Sequence, residues 1–264
     1  MIRVFPRRTK WTPTDDLAFV GDPPLFRPPE QPVKISVTFT WDIPIAKRLL
    51  KSWSDHYSDV RVGGPALGDP GGEFVPGRFV KEGVTITSRG CIRNCKWCLV
   101  PEREGQIQTY TIQDGWIVQD NNLLACHFHH IVKVFKMLKR INKPVKFSGG
   151  LDPRLLRPWH VALLDEIKID EMWFSCDYPG AEKPLERVAQ LVARYPINKR
   201  RAFVLIGFNG ERLKDAEKRL ETVYGLEFLP FAQLYQGKQL KTYSRDWQRL
   251  ARKWSRPAAY RTSQ

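Results

Sequence analysis

The feature that most constrains this chain is a group of three cysteines, Cys91, Cys95 and Cys98, at the spacing C-x3-C-x2-C. They follow a β-branched run and a Ser-Arg-Gly turn, residues 84–90, which together predict a strand that leads into a cysteine loop. Cysteines this close together do not suit a disulfide framework, whereas thiolates crowded into one loop are typical of iron–sulfur ligation. Three ligands would leave one iron of a four-iron cluster open to a substrate or cofactor, as in a catalytic zinc site.

The composition favours a globular protein in a reducing compartment. The 264 residues suffice for one large α/β domain, or for a core with a small extension. There is no run of about 18 apolar residues and no secretory signal at the N-terminus, so we expect no membrane segment and a cytoplasmic location. Five cysteines, three of them clustered, favour metal binding over disulfides.

The chain is strongly basic. Lys and Arg number 43 against 28 Asp and Glu, which gives a formal net charge of +15. A positive field of this size favours a polyanionic partner, with nucleic acid or another anionic substrate as the first candidate. It is equally compatible with a basic surface that only keeps the protein in solution. Charge alone leaves both interpretations open, and the oligomeric state is not predicted.

The first 80 residues predict an arm and a small α/β cap. Residues 1–32 are rich in proline, which favours an extended N-terminal arm without a long regular element. Residues 33–80 predict a strand at 33–39, a helix that Asp42 caps and Pro44 opens, and a strand at 60–62. A linker rich in glycine and proline follows.

Residues 81–237 alternate between strand and helix patterns, which is typical of a parallel sheet or barrel. The predicted strands are 84–87, 117–124, 145–148, 171–175, 201–206 and 226–234. Predicted helices cover 128–141 and 159–167, and two more begin near Pro184 and Leu213. Polar residues or glycines follow most of these strands. Because active sites of parallel barrels lie at the carboxyl ends of the strands, we expect the functional residues there.

The tail, 238–264, is basic. From Asp246 it predicts an amphipathic helix that places Trp247, Leu250 and Trp254 on one face and arginines on another. Such a helix suits a nucleic acid or another anionic substrate. A closing helix with a solvated charged face is the alternative, and the pattern slightly favours it.

The cysteine spacing, with Trp97 directly before the last cysteine, resembles the radical SAM superfamily. The resemblance covers about residues 81–237 and implies an α/β fold, a partial (β/α)6 TIM-like barrel with a short N-terminal α/β extension. It implies a [4Fe–4S] cluster on Cys91, Cys95 and Cys98, whose open iron chelates S-adenosyl-L-methionine. An external one-electron donor, flavodoxin- or ferredoxin-like, then allows cleavage to a 5′-deoxyadenosyl radical that abstracts hydrogen from substrate.

The resemblance also implies positions that contact S-adenosylmethionine. Trp97 is expected near the adenine, or it packs only against the loop. Asp120 is expected at the methionyl amino group, because residues 120–122 resemble the D-x-N form of the cobalamin-linked branch. Backbone groups of Ile206 and Gly207 are expected to support the adenine.

Further polar residues at the predicted strand ends complete this set. Ser175 and Asp177 are expected to bind ribose hydroxyls or the carboxylate of the cofactor. Asp152 and Arg154 are candidates to face the substrate, and Arg154 or Arg89 could pair with an anionic group.

Alternative functions remain open from the sequence. The cap resembles the last part of a cobalamin-binding domain but lacks the D-x-H-x-x-G signature at Asp55-His56, so we expect no bound cobalamin; a cobalamin-dependent radical SAM methylase is the first alternative. A non-enzymatic, metal-stapled nucleic-acid-binding protein is the second. Its zinc would need a fourth ligand from Cys126, His127, His129 or His130. Cys126 and Cys176 otherwise suit small buried hydrophobic positions, with Cys176 the better functional candidate.

Overall fold

The structure, a computed structural model, describes residues 1–69, 73–237 and 240–261. The chain divides into two units, with the boundary between Val84 and Thr85. The first unit contains Met1–Val84, and the second contains Thr85–Gly237 and the segment from Lys241 onward. None of the helices in the described ranges combines the length and the apolar character that a membrane crossing requires.

The first unit is a four-stranded parallel sheet with one long helix. Its elements are β1 Ile2–Phe5, β2 Ala18–Val20, β3 Val33–Ser36, α1 Ile43–Ser54 and β4 Val60–Gly63. The sheet order is β2-β1-β3-β4. Helix α1 buries Leu49 and Trp53 in the core of this unit. Segment 1–32, expected as an extended arm, thus contributes two strands to the sheet, and its prolines lie outside those strands.

Asp42 does not cap α1, contrary to expectation. Its buried carboxylate accepts two hydrogen bonds from Arg7 Nε, at 2.7 and 3.0 Å, and pairs with the same guanidinium through Nη2. Because a guanidinium fork occupies both carboxylate oxygens, neither bonds to the N-terminus of the helix. Pro44 lies in the first turn, where a missing N–H costs nothing.

The second unit is built on a six-stranded sheet and a separate hairpin. Its strands are β5 Val84–Thr85, β6 Ser88–Arg89, β7 Gln108–Thr109, β8 Ile117–Val118, β9 Val145–Leu151, β10 Ile169–Ser175, β11 Arg200–Ile206 and β12 Leu229–Leu234. The large sheet has the order β12-β11-β10-β9-β8-β5, the same as the order along the chain. From β8 to β12 each neighbouring pair is parallel. The fold is therefore mixed α/β with parallel sheets.

Helices connect most of these strands. They are α2 Val100–Arg103, α3 Phe128–Ile141, α4 Pro158–Asp165, α5 Glu182–Leu191, α6 Leu213–Gly225, α7 Arg245–Trp254 and α8 Pro257–Arg261. On β11, Ala202, Val204 and Ile206 are fully buried in the core that the helices share, while the alternate residues are half-buried. The strands thus have one face covered by helices and one more open face.

Two strands of the second unit end earlier than the sequence predicts. Strand β5 ends at Thr85, and Thr87 bonds instead to the side chain of Asp120. Strand β8 ends at Val118, and the chain continues through Asp120 into a 3-10 turn at Leu123–Ala125. Both strands therefore stop where side-chain hydrogen bonds replace the ladder of the sheet.

Candidate functional site

The three cysteines lie in a loop closed by the hairpin of β6 and β7. These strands pair antiparallel, and Cys91 N donates to Gly105 O at 3.1 Å just inside them. Gly90 has a φ of +83°, and a Cβ at this position would lie 2.1 Å from Gln106 O. Only glycine fits this closure, because both the conformation and the space exclude a side chain.

The cysteine thiols are half-buried and have N–H donors close to sulfur. Cys91 Sγ accepts from Arg93 N at 3.4 Å and from Asn122 Nδ2 at 3.5 Å. Burial raises the pKa of both Cys95 and Cys98. At Cys95 the nearby Arg154 opposes this rise, but the pKa is still raised overall. Metal coordination would favour the thiolates over the thiols.

Three cysteine thiols in one loop are a donor set that suits iron–sulfur ligation. Within the described residues, no group of three His, Cys, Asp or Glu side chains could hold a metal ion. In a cluster each thiolate binds a different iron, so the sulfurs need not converge on one point. Hydrogen bonds to the sulfurs, such as those at Cys91, are among the features that tune such clusters.

Residues 120–122 attach the end of β8 to the cysteine hairpin. Asp120 is buried; its carboxylate accepts from Thr87 N at 2.6 Å, from Ser88 Oγ at 2.9 Å and from the hydroxyl of Thr87. Asn121 accepts from Arg89 Nη1 at 2.6 Å and donates to a Glu104 carboxylate oxygen at 2.7 Å. The carboxylate expected at the methionyl amino group is therefore engaged in holding the strand that precedes the cysteines.

A carboxylate bridges two arginines beside the cysteines. Asp152 accepts from Arg93 Nε at 3.1 Å and from Arg154 Nε at 2.7 Å, and it is almost fully buried. Its pKa is lowered by the hydrogen bonds of these arginines, although burial opposes this. Arg93 lies in the cysteine loop and Arg154 follows β9, so the bridge connects the loop to the carboxyl edge of the sheet.

Trp97 lies in an aromatic group formed by residues that follow three other strands. Its ring centroid is 5.4 Å from that of Tyr178 and 5.8 Å from that of Phe208. Phe208 in turn meets Tyr235 edge to face at 4.8 Å. These partners follow β10, β11 and β12. The cysteine loop follows β5 along the chain. Its Trp97 nevertheless contacts residues that follow β10 and β11, which lie towards the opposite end of the sheet from β5.

Ser175 and Asp177 lie at the carboxyl end of β10, as expected. Ser175 is half-buried and pairs in register with Phe203 of β11. Asp177 accepts from Leu205 N at 3.2 Å, and burial raises the pKa of its carboxyl group to about 6. The charges of Arg219 and Arg154 oppose this rise.

The backbone of Gly207 already has partners. Its N–H donates to a Glu211 carboxylate oxygen at 2.9 Å, and its carbonyl accepts from Lys241 Nζ at 3.1 Å. The neighbouring Ile206 carbonyl accepts from Tyr235 N at 2.9 Å. Glu211 thus closes the turn after β11 rather than capping α6, and the contact of Ile206 and Gly207 with adenine stays a prediction.

The other two cysteines and the histidines considered as zinc ligands make contacts outside the three-cysteine loop. Burial raises the pKa of Cys126 to about 11, and its thiol lies beside Ser88. Cys176 is fully buried, and burial raises the pKa of its thiol as well. His127 and His129 are exposed and stack on each other, with ring centroids 5.1 Å apart. These side chains do not complete a zinc site with the three cysteines in the described part of the chain.

Sequence reasoning assigned no individual role to three residues of this region. Asn122 is bonded to Cys91, Arg93 belongs to the arginine–carboxylate bridge, and Tyr178 contacts Trp97. Each lies within two residues of a position that the sequence singles out, in the cysteine loop or after a strand. Their proximity in sequence to those positions could have indicated these residues. The sequence does not show, however, which way each side chain points.

Comparison with known proteins supports the fold. A solved structure of the radical S-adenosylmethionine methyltransferase TsrM from Kitasatospora setae, with cobalamin and a [4Fe–4S] cluster bound, is similar with a TM-score of 0.57. The sequences are 11% identical, and the match covers 76% of this chain and 63% of TsrM, so this chain spans less than two thirds of that protein. No protein-family model and no curated protein sequence matches the chain.

Proposed function

We propose that this chain is a radical SAM enzyme. The observation that carries the proposal is the half-buried loop with Cys91, Cys95 and Cys98, which a hairpin closes at the carboxyl edge of a largely parallel sheet. The similarity in fold to a radical SAM methyltransferase supports it. A bound [4Fe–4S] cluster and S-adenosylmethionine would supply a 5′-deoxyadenosyl radical that abstracts hydrogen from substrate.

The chain's own residues hold and shape this site. The three thiolates would bind the cluster, and the N–H groups of Arg93 and Asn122 would stabilise the charge on the sulfur of Cys91. Trp97 and its aromatic partners would exclude water from one side of the loop. Asp177, which accepts from the Leu205 amide, is the carboxylate that we propose accepts from ribose hydroxyls of the cofactor.

The aromatic contacts of Trp97 also support a partial (β/α)6 barrel. A flat sheet would keep a loop after β5 far from residues that follow β10 and β11, three and four strands along. Curvature of the sheet would bring them together around a mouth. We further propose a cytoplasmic location, an external one-electron donor and an anionic, nucleic-acid or nucleotide substrate.

The cluster assignment is tested by substituting Cys95. In Cys95→Ala, anaerobic reconstitution is expected to lose the brown iron–sulfur chromophore and the reductive cleavage of S-adenosylmethionine to 5′-deoxyadenosine. Cys126→Ala removes a thiol outside the loop and serves as the matched control, which should keep both. Retention of the chromophore and of S-adenosylmethionine cleavage in Cys95→Ala would contradict the proposal.

A cobalamin-dependent methylase is the second candidate, because TsrM is a methyltransferase whose structure holds cobalamin. The first unit of this chain is a small parallel α/β sheet, but the cobalt-ligating signature is missing. Equilibrium dialysis of the full chain against hydroxocobalamin decides between the two. Stoichiometric binding would favour the methylase, and no binding is expected from the missing signature.

A further inference from the structure

Exposed aromatic side chains occur where α3 and α4 begin. The side chain of Phe128 is 53% exposed and that of Trp159 is 37% exposed, although large aromatic residues are usually covered. Their ring centroids are 5.2 Å apart. His129 lies edge to face with Phe128 at 5.6 Å. Two helices thus present one continuous aromatic surface to solvent.

Basic side chains follow Phe128 along α3. His129, Lys133 and Lys136 are exposed at positions i, i+4 and i+7, so they form one stripe along α3. In the described ranges, the ion pairs of α3 involve Lys139 and Arg140 at the far end of the helix. The two lysines of the stripe therefore keep their charge available. We call Phe128, His129, Lys133, Lys136, Arg157 and Trp159 the aromatic–basic patch.

The patch lies on the same edge of the second unit as the cysteine loop. His130, next to it, shares a hydrogen bond of 3.0 Å between Nε2 and Thr87 Oγ1, on the segment before the cysteines. Arg157 Nη1 donates to Arg154 O at 3.0 Å, and Arg154 belongs to the bridge with Asp152. A polymer bound on the patch would therefore run beside the loop.

We propose that the aromatic–basic patch binds single-stranded nucleic acid, with bases stacked on Phe128 and Trp159 and phosphates near Lys133, Lys136 and Arg157. Stacking on aromatic rings beside a basic stripe is how single strands are bound without sequence preference. Such binding does not depend on the cluster. The role of this strand as substrate rests on the proposed radical SAM function.

The patch fits this ligand better than the basic helix α7. Arg245, Arg249 and Arg252 of α7 are exposed, but Trp254 is 4% exposed and Leu250 is 6% exposed, so the apolar face of that helix is used for packing. Helix α7 therefore offers charge alone. A ligand held by charge alone would not distinguish a single strand from a duplex or from a strand without bases.

The test measures binding of a fluorescein-labelled single-stranded RNA of about 12 nucleotides to the full chain by anisotropy, both as isolated and after anaerobic reconstitution. Phe128→Leu/Trp159→Leu keeps apolar volume but removes the stacking faces. It should weaken binding about 5- to 150-fold for each stacked base that is lost. Phe26→Leu, at an aromatic residue that is 90% exposed in the first unit, is the matched control and should bind normally.

Two further variants test the charges. Lys133→Ala/Lys136→Ala should weaken binding and lower the slope of log K against log salt by about 1.4, at about 0.7 per phosphate contact. Lys214→Ala/Lys218→Ala removes the same charge from an exposed face of α6 and should leave the slope unchanged. Circular dichroism and melting of each variant confirm that it is folded.

Three results would overturn the proposal: equal affinity for a duplex or an abasic strand, no effect of the aromatic variant, or loss of binding only in Arg249→Ala/Arg252→Ala. The outcome is separate from that of the proposed function. Cys95→Ala should keep RNA binding even though it loses the chromophore, and the patch variants should keep the chromophore.

Discussion

At the scale of single residues, Gly90 decides whether the cysteine loop can close. We expect Gly90→Ala to lose most cluster incorporation, because its Cβ would collide with Gln106 O at 2.1 Å. Gly105→Ala is the control: its φ is also positive, at +68°, but there is nothing within 4 Å of the added Cβ. The control shares the conformational strain of about 1 kcal/mol without the collision. Iron and sulfide content after reconstitution measures the difference, and equal content in both variants would contradict the steric explanation.

His160 predicts a dependence of stability on pH. Burial, with a smaller contribution from Arg157, lowers the pKa of His160 to about 4, and its Nε2 is buried without a partner in the described residues. In the unfolded chain the group takes up its proton near pH 6.5. The unfolded state therefore binds more protons between pH 6.5 and 4, and the free energy of unfolding falls as pH falls through this range, by on the order of 3 kcal/mol.

His160→Gln should remove this contribution, because Gln does not titrate. Denaturant unfolding of the wild type and of His160→Gln from pH 7.5 to 4 gives the difference between their free energies of unfolding. Asp177, whose raised pKa has the opposite effect on stability, is present in both proteins, so its contribution cancels in this difference. His56→Gln changes an exposed histidine of the first unit and should leave the profile as it is. Parallel profiles for wild type and His160→Gln would contradict the argument.

Asp120 is expected to contribute to stability before any cofactor binds. Asp120→Asn removes the charge that accepts hydrogen bonds from Thr87 and Ser88 in a buried place, and it should cost on the order of 2 to 3 kcal/mol in the apo protein. Asp170→Asn changes a more exposed carboxylate paired with Lys146 and should cost less than about 1 kcal/mol. Urea unfolding measures both. An unchanged midpoint in Asp120→Asn would restore a purely cofactor-binding role.

At the scale of elements, α7 stabilises the edge of the large sheet. Trp254 stacks on Tyr260 at 4.9 Å, and Ser255 Oγ donates to Ala232 O on β12 at 3.0 Å. Trp254→Ala should therefore destabilise the protein by about 3 to 5 kcal/mol. The same change at half-buried Trp247 is the control and should cost clearly less. Thermal melts that rank the two in the opposite order would contradict this docking.

Elements with a strong periodic pattern were predictable, and those that depend on side-chain hydrogen bonds were not. Helix α3 has the predicted bounds, because apolar residues recur at helical spacing and Asn142 ends it in a left-handed conformation. Strand β8 is much shorter than predicted, because Asp120 bonds to residues before the cysteines, and that partner lies 33 positions away in sequence. No local pattern reports such a pairing.

The candidate site was predictable to the same extent. The cysteine spacing and the polar residues after β9 and β10 follow from local sequence. Local sequence does not show which polar groups already have hydrogen-bond partners. At Gly207, for example, the N–H donates to Glu211 and the carbonyl accepts from Lys241. The segment around β1 was missed because its two short strands lie among prolines and depend on long-range pairing, of β2 with β1 and of β1 with β3.

At the scale of the whole molecule, the core of the second unit does not include the three loop cysteines. Removing iron from the reconstituted protein with a chelator should therefore leave the far-UV circular dichroism unchanged. A metal-stapled protein would instead unfold when its metal is removed, as structural zinc domains do. A loss of helical signal on chelation would favour that alternative.

The strands of the large sheet lie in the same order in the sheet as along the chain, and this has a consequence for synthesis on the ribosome. Each strand from β9 to β12 pairs with the one that left the ribosome before it, so the sheet can grow in one direction without waiting for distant segments. The cysteine hairpin emerges early, whereas Phe208 and Tyr235, which close the aromatic group around Trp97, emerge late. The aromatic group around Trp97 is therefore completed only after β12 and the residues that follow it have been synthesised.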